Sequence, residues 1–265
     1  MKKIALAAAL LAAPVFAEDA AVETVDNVAI EQQHAAYEGF YFGIGAAAAD
    51  NGAKCELEYP GITPFAKILN GNATRLMGTV ALGFGKKLQG KGFYAGIEAG
   101  LDFGPASTSG NFDGNAGNLP GVWTAGYDIE VRHNGFVPAL GLRLGFVDCE
   151  TKIMTYLKVG ASYLKTVADY RTFDATDDTE ATKCNVKTST ITPFVALGIE
   201  KAFAKKMTAR VEAEYKFGKN KTSGSPANAA QAGNIPAGNI PEHNIKLTQK
   251  GTITLRAMFC YNVKI

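Results

Sequence analysis

The sequence predicts an all-β chain closed into an antiparallel up-and-down transmembrane β-barrel of about eight strands. Three observations predict it. Apolar and polar side chains alternate through segment after segment, the connections between those segments run long and short in turn, and an export leader is followed by no apolar run long enough for a membrane helix.

The leader comes first in the chain. Lys2 and Lys3 precede an apolar stretch from Ile4 to Pro14, and Val15-Phe16-Ala17 places small residues before acidic Glu18-Asp19. Residues 1–17 are therefore expected to be a secretory signal peptide cut after Ala17. Glu18, rather than a cysteine, follows the cut, so no lipoprotein anchor is expected. A secreted chain without helices can still cross a membrane when its strands close on themselves, because closure satisfies every backbone N–H and C=O.

Alternation with a period of two marks the strands. Phe93, Ala95, Ile97, Ala99, Leu101 and Phe103 share one face, and Tyr94, Gly96, Glu98, Gly100 and Asp102 share the other. The same pattern returns near 136–147, 153–165, 190–201, 207–218 and 251–263, and in two glycine-rich segments near 40–49 and 76–85. An apolar face ending in aromatics, with charges opposite, suits lipid outside and a polar interior.

The short connections fall near 86–91, 148–152 and 202–206, and the long ones near 50–75, 104–135, 166–187 and 219–250. Short periplasmic turns and long outer loops give an even strand count with both ends at the periplasm. The long connections read as surface without regular structure. Ser107 to Asn118 is rich in Gly, Ser and Asn, and Gly233-Asn234-Ile235-Pro236 repeats as Gly238-Asn239-Ile240-Pro241. The chain then divides into the leader (1–17), a solvated periplasmic lead-in (18–38), in which residues 29–37 could alternatively form a short helix, and the barrel (39–265).

Charge excludes one class of partner. The chain carries 27 Lys+Arg and 25 Asp+Glu, and losing Lys2 and Lys3 leaves 25 of each. No basic patch with interleaved aromatics is present, so no nucleic acid is expected.

The opening strand Gly39-Phe40-Tyr41-Phe42-Gly43-Ile44-Gly45 resembles the first strand of small outer-membrane barrels of the opacity-type and OmpA-like superfamily. Tyr94-Ala95-Gly96-Ile97-Glu98-Ala99-Gly100 and Thr192-Pro193-Phe194-Val195-Ala196-Leu197-Gly198 are similar to later strands of such proteins. The resemblance covers roughly residues 39–263 and implies location in the outer membrane of a Gram-negative-type bacterium, outer-membrane lipid around the barrel, and insertion by the barrel-insertion machinery. Members usually end in an aromatic residue; here Ile265 stands there. A pattern of strand composition specifies architecture and leaves activity open.

Ten charged residues are expected to point inward: Glu98, Asp102, Glu200, Glu212 and Glu214 against Arg143, Lys158, Arg210, Lys216 and Arg256. Depth along the strands puts Glu98, Arg143, Lys158, Glu214 and Arg256 near one mid-membrane layer. An eight-stranded barrel is just wide enough for side chains to fill it. Isolated buried charges are very costly, so ten of them are expected to pair into a plug rather than line an ion path.

Other chemistry has little to stand on. A hydrolytic Ser-His-acid set needs a histidine held at the rim. Of His34, His133 and His243, His133 alone falls at a rim position, with no serine fixed beside it. Cys55, Cys149, Cys184 and Cys260 lack metal-site spacing, and no glycine-rich phosphate loop precedes a helix, so neither cofactor nor metal is expected. An even cysteine count in an oxidising compartment suggests pairing. Topology puts Cys55 and Cys184 at the outer end and Cys149 and Cys260 at the periplasmic end, too far apart to cross-pair. Cys55–Cys184 is the expected bond. Cys149–Cys260 would follow if the turn folded beneath the lumen; the alternative is a small buried Cys260 and a free Cys149.

The expected role is a non-enzymatic, monomeric barrel serving envelope integrity and contact with host or environmental surface ligands through its outer loops. The alternatives are a narrow pore and, behind it, a lipid-modifying enzyme.

Overall fold

The computed structural model describes residues 37–58, 66–88, 92–105, 107–115, 126–148, 150–173, 180–218, 221–224 and 244–263. The leader, most of the lead-in, His34, His243 and Cys149 lie outside the described residues. Within them there are eleven strands: β1 (Gly39–Glu58), β2 (Ala66–Lys87), β3 (Phe93–Phe103), β4 (Ser107–Asn115), β5 (Gly126–His133), β6 (Phe136–Asp148), β7 (Ile153–Phe173), β8 (Glu180–Ala204), β9 (Met207–Lys216), β10 (Lys221–Gly224) and β11 (Asn244–Val263). No described helix is long and apolar enough to cross a membrane.

All pairings are antiparallel, and β1, β2, β3, β6, β7, β8, β9 and β11 form a ring of eight. The first and last strands close it, with Phe40 opposite Val263 and Ala46 opposite Ala257. The shorter strands continue this ring. β5 pairs with β7 and β4 with β5, above the level where β6 and β3 end. The ladder bridges both breaks, since Gly104 N donates to Gly135 O (2.9 Å) and Asn134 N to Lys165 O (2.9 Å). β10 resumes the line of β9 along β11. The sheet therefore extends beyond the apolar zone of the barrel.

That extension corrects the expected long loops. Residues 50–58, 66–75, 107–115, 126–133, 166–173, 180–187 and 244–250 are strand, not irregular surface. Their inward face mixes polar residues with a few small or apolar ones, such as Asn51, Ala53, Thr166 and Gln249, and so offers little apolar alternation to read locally. The order comes from hydrogen bonds to the neighbouring strand, as where Lys54 faces Thr248 and Tyr170 faces Cys184. Glycine- and asparagine-rich Ser107–Asn115 is held in the same way against Gly126–His133.

The outward side chains form a belt. Leu82, Ile97, Leu140, Leu142, Leu144, Leu197 and Phe259 are exposed although large and apolar. Aromatics edge the belt at the short-turn end, in the pairs Phe40–Phe84 (4.9 Å), Phe93–Phe146 (5.8 Å) and Phe203–Phe259 (6.2 Å). At the other end stand Phe103, Phe136, Tyr163 and the Tyr215–Phe217 pair (5.0 Å). At ~3.4 Å per residue and a tilt of ~40°, the run from Phe136 to Phe146 stands about 25 Å tall, the height of a bilayer's apolar core.

The short turns are locally encoded. Asp148 accepts from Glu150 N (3.1 Å) and from Thr151 Oγ1 (2.7 Å), and these bonds hold its carboxyl below the usual aspartate range. Lys152 completes that turn in the left-handed region (φ 57°). Beneath the lumen, Tyr37, near the end of the expected lead-in, is not solvated. It is buried with Tyr94, Val147, Met154, Tyr156 and Ala202, and its hydroxyl donates to Lys152 O (2.7 Å) and accepts from Ala202 N (3.0 Å).

Candidate functional site

The strand pleat sends every second side chain into the lumen, and all ten expected charged residues lie there, each buried. They sort into two connected layers. In the lower layer Glu98 accepts from Arg210 Nη1 (2.5 Å) and Lys158 Nζ (3.0 Å), with Arg143 Nη1 at 3.6 Å. Glu200 accepts from Arg143 Nη2 (2.6 Å), Arg210 Nε (3.2 Å) and Thr208 Oγ1 (2.6 Å). Glu212 meets Lys158 Nζ at 2.6 Å.

Arg256 carries the network upward. Its guanidinium grips Asp102 with two bonds (2.9 and 2.6 Å), reaches down to Glu212 (3.0 Å) and across to Glu214 (2.9 Å). Lys216 joins Glu214 (2.9 Å) and approaches Asp102 (3.8 Å). Strand tilt staggers the levels, so Glu214 and Arg256 sit with Asp102 and Lys216 instead of in the single layer expected from depth along each strand. Every one of the five carboxylates meets at least two cations.

Tyrosines complete the plug, and sequence reasoning missed them. Tyr41 donates to Glu98 Oε2 (2.6 Å) and accepts from Arg143 Nη1 (2.9 Å). Tyr156 donates to Glu212 Oε2 (2.8 Å), and the Arg143 guanidinium lies 4.0 Å from its ring centre. The rings need room against the wall, and glycine on the next strand provides it. A Cβ on Gly83 would fall 2.3 Å from Tyr41 Cζ, and one on Gly198 would fall 2.2 Å from Tyr156 Cζ. A glycine beside an inward aromatic at the same level was the available signal.

Little space remains. A cavity of about 20 Å³ lies between the layers, bordered by Glu98, Asp102, Lys158, Glu214 and Arg256. That is room for about one water molecule. A larger hollow, about 590 Å³, lies on the outside of the wall over Leu144, Leu157, Leu197 and Ile199, in the zone of the apolar belt.

Cys260 is a free thiol, which corrects the expected alternative of a Cys149–Cys260 bond. It lies inside the wall of β11 beside Ala81 and Met258. A Cβ on Gly43 would come within 3.0 Å of its sulfur, so the side chain fills the space that this glycine leaves open, away from the turn below. The side chains of Cys55 and Cys184, and hence the expected bond between them, lie outside the described residues.

His133 stands at the outer rim, three residues beyond Phe136 at the edge of the belt. It is buried, and its Nδ1 lies 3.2 Å from Thr166 Oγ1. A hydroxyl thus occupies the nitrogen that an orienting carboxylate would hold in a catalytic triad. Among the described residues no group of three His, Cys, Asp or Glu side chains could hold a metal ion.

Burial, helped by the charge of Arg75, pushes the His133 imidazole down to about 4. The unfolded chain, titrating near 6.5, then binds a proton that the folded barrel refuses between those values. Stability should therefore fall as pH drops from about 6.5 towards 4, by at most about 3 kcal/mol, and level off below. Urea titrations at pH 7.5, 5.5 and 4 should show His133→Gln to be the less pH-sensitive protein. Parallel slopes for the two would remove His133 as the source.

The belt, the filled polar lumen and the closure of first strand on last settle the architecture. It is the fold of a small outer-membrane β-barrel. The outer membrane protein OprG of Pseudomonas aeruginosa is similar in structure, at 10% identity over 87% of this chain and 99% of that one, with a TM-score of 0.50. Neisserial surface protein A matches over 85% of this chain and 98% of its own at 11% identity and a TM-score of 0.37. Ail of Yersinia pestis matches over 84% and 99% at 10% identity and 0.31. No protein-family model matches the sequence, and no curated protein matches it. The expected likeness to small outer-membrane barrels thus holds for the fold. Such a barrel, with this belt, resides in the outer membrane of a Gram-negative-type cell.

Proposed function

We propose that this outer-membrane barrel is a closed, non-enzymatic structural element whose outer wall serves surface contact. The observation that carries the reading is the interlocked plug of five carboxylates and five cations across the lumen. An ion crossing the barrel would have to break several of these pairs at once and desolvate in passing, and breaking a buried pair costs about 3–5 kcal/mol. Support for surface contact comes from the wall itself. Beyond Tyr163, β7 continues through Phe173, and β8 begins at Glu180, well above Ile191. This stands the outer end roughly 25 Å clear of the belt, where host or environmental ligands can reach it. Outer-membrane lipid around the belt and the insertion machinery are the remaining partners, and the barrel acts as a monomer.

Planar-bilayer recording of the full-length refolded protein tests the reading. The expected trace has no reproducible unitary steps at either polarity. Discrete steps whose size changes in Arg256→Ala would overturn it in favour of a narrow pore.

A further inference from the structure

The plug balances five carboxylates with five cations, and one further cation is buried outside it. Six Lys and Arg side chains are buried among the described residues: Arg75, Arg143, Lys158, Arg210, Lys216 and Arg256. Five of them contact carboxylates in the plug. Arg75 has no described carboxylate within salt-bridge distance. Its bond to protein is from Nη1 to the carbonyl oxygen of Asn134 (2.6 Å), and its Nε has no partner. Asp102, the carboxylate that acts on it through space, is already held by both arms of the Arg256 fork. Asp169, buried on β7, is bound by Arg132.

His133 repeats the pattern. It is 4% exposed, Thr166 stands at Nδ1, and Nε2 has no partner. The Thr166 contact fits either tautomer; in the one where the hydroxyl donates to Nδ1, Nε2 carries the proton and presents a second donor. Neither unpartnered nitrogen meets bulk solvent. A buried guanidinium whose only acting carboxylate is committed to another cation, and a buried imidazole nitrogen without a partner, are each expensive, and negatively charged oxygens set between the two would relieve both. Arginine's planar fork favours such oxygens over a spherical halide.

We propose that Arg75 and His133 form a binding site for a small oxyanion at the outer rim of the lumen, one that takes a phosphate or carboxylate group. The site lies above the plug and does not depend on whether the lumen conducts. Its oxygens would come from free inorganic phosphate or from the carboxylate of a small solute.

The test uses the full-length barrel refolded in detergent micelles and labelled with ¹⁵N. Sodium phosphate and sodium acetate are titrated separately against sodium chloride at constant ionic strength. Saturable shifts of the Arg75 Nε–H and His133 ring resonances are expected with phosphate, acetate or both, and the stronger of the two names the preferred group. Chloride should give none. Arg75→Lys should weaken the response at least tenfold, and Arg75→Gln should abolish it while both variants keep the heat-modifiable gel shift of the folded barrel. Should Arg75→Gln fail to fold, His133→Asn must still lose most of the response. The proposal is overturned if the wild type shows no saturable shift, or if Arg75→Gln and His133→Asn respond as the wild type does. An oxyanion-blind wild type destabilised by Arg75→Gln would mean that the chain supplies the acceptor itself, and would overturn it equally.

Discussion

Arg256→Ala should destabilise the barrel by about 3–5 kcal/mol, the cost of leaving buried charge without its partner. Arg256 is the junction of the plug, bonded to Asp102, Glu212 and Glu214. Without it Lys158 still serves Glu212, but Lys216 alone is left for Asp102 and Glu214. Leu142→Ala truncates a side chain on the outside of β6, where Leu142 is 55% exposed and lipid takes up the gap. It should cost about 1 kcal/mol or less, well short of what the same truncation costs in a packed core. Urea unfolding in phospholipid vesicles compares the two. If Leu142→Ala proves the more damaging change, the sides of the wall are wrongly assigned. A second variant separates lost charge from lost packing. Arg256→Met keeps most of the volume, and should recover less than half of the loss, because Asp102, Glu212 and Glu214 each still lack one of their two cations.

What the sequence made legible follows from where its information is local. In β3, β6, β9 and β11 one face meets lipid and the other the lumen, so alternation alone separates Leu142 from Arg143 and Leu255 from Arg256. Pairing among the inward charges could be expected on cost, because ten buried ions of balanced sign have no other stable arrangement in a narrow barrel. Which carboxylate meets which cation could not, since strand tilt and stagger set their levels. The outer wall was hidden for a different reason. Thr182-Lys183-Cys184-Asn185-Val186-Lys187-Thr188 is largely polar on both faces, and its strand character comes from bonds to β7. Arg75 fell in the same blind region, within a stretch that reads as loop. Tyr37 was hidden because one aromatic after a segment without alternation gives no hint that it folds back under the barrel.

Gly198→Val should rival the loss of Arg256, although it removes no interaction directly. Gly198 faces the lumen from β8, opposite Tyr156 on β7. A Cβ there would lie 2.2 Å from Tyr156 Cζ and 2.3 Å from its hydroxyl oxygen, so the ring must leave. When it does, Glu212 loses a donor at 2.8 Å and Arg143 loses the ring stacked 4.0 Å from it. Overpacking costs about 1–3 kcal/mol, and a buried acceptor left short about as much again, so roughly 2–6 kcal/mol is expected. Gly100→Ala is the control. The nearest atom to a Cβ at that site, Val80 O, is 3.9 Å away, so this change should be near neutral. The clash has one partner, and the double variant Gly198→Val/Tyr156→Ala identifies it. With the ring gone the new side chain has space, and the pair should be more stable than the sum of the single changes by at least about 1 kcal/mol. Strict additivity would mean that Tyr156 does not rest on Gly198, and that the aromatic half of the plug is held by something other than the bare backbone of β8.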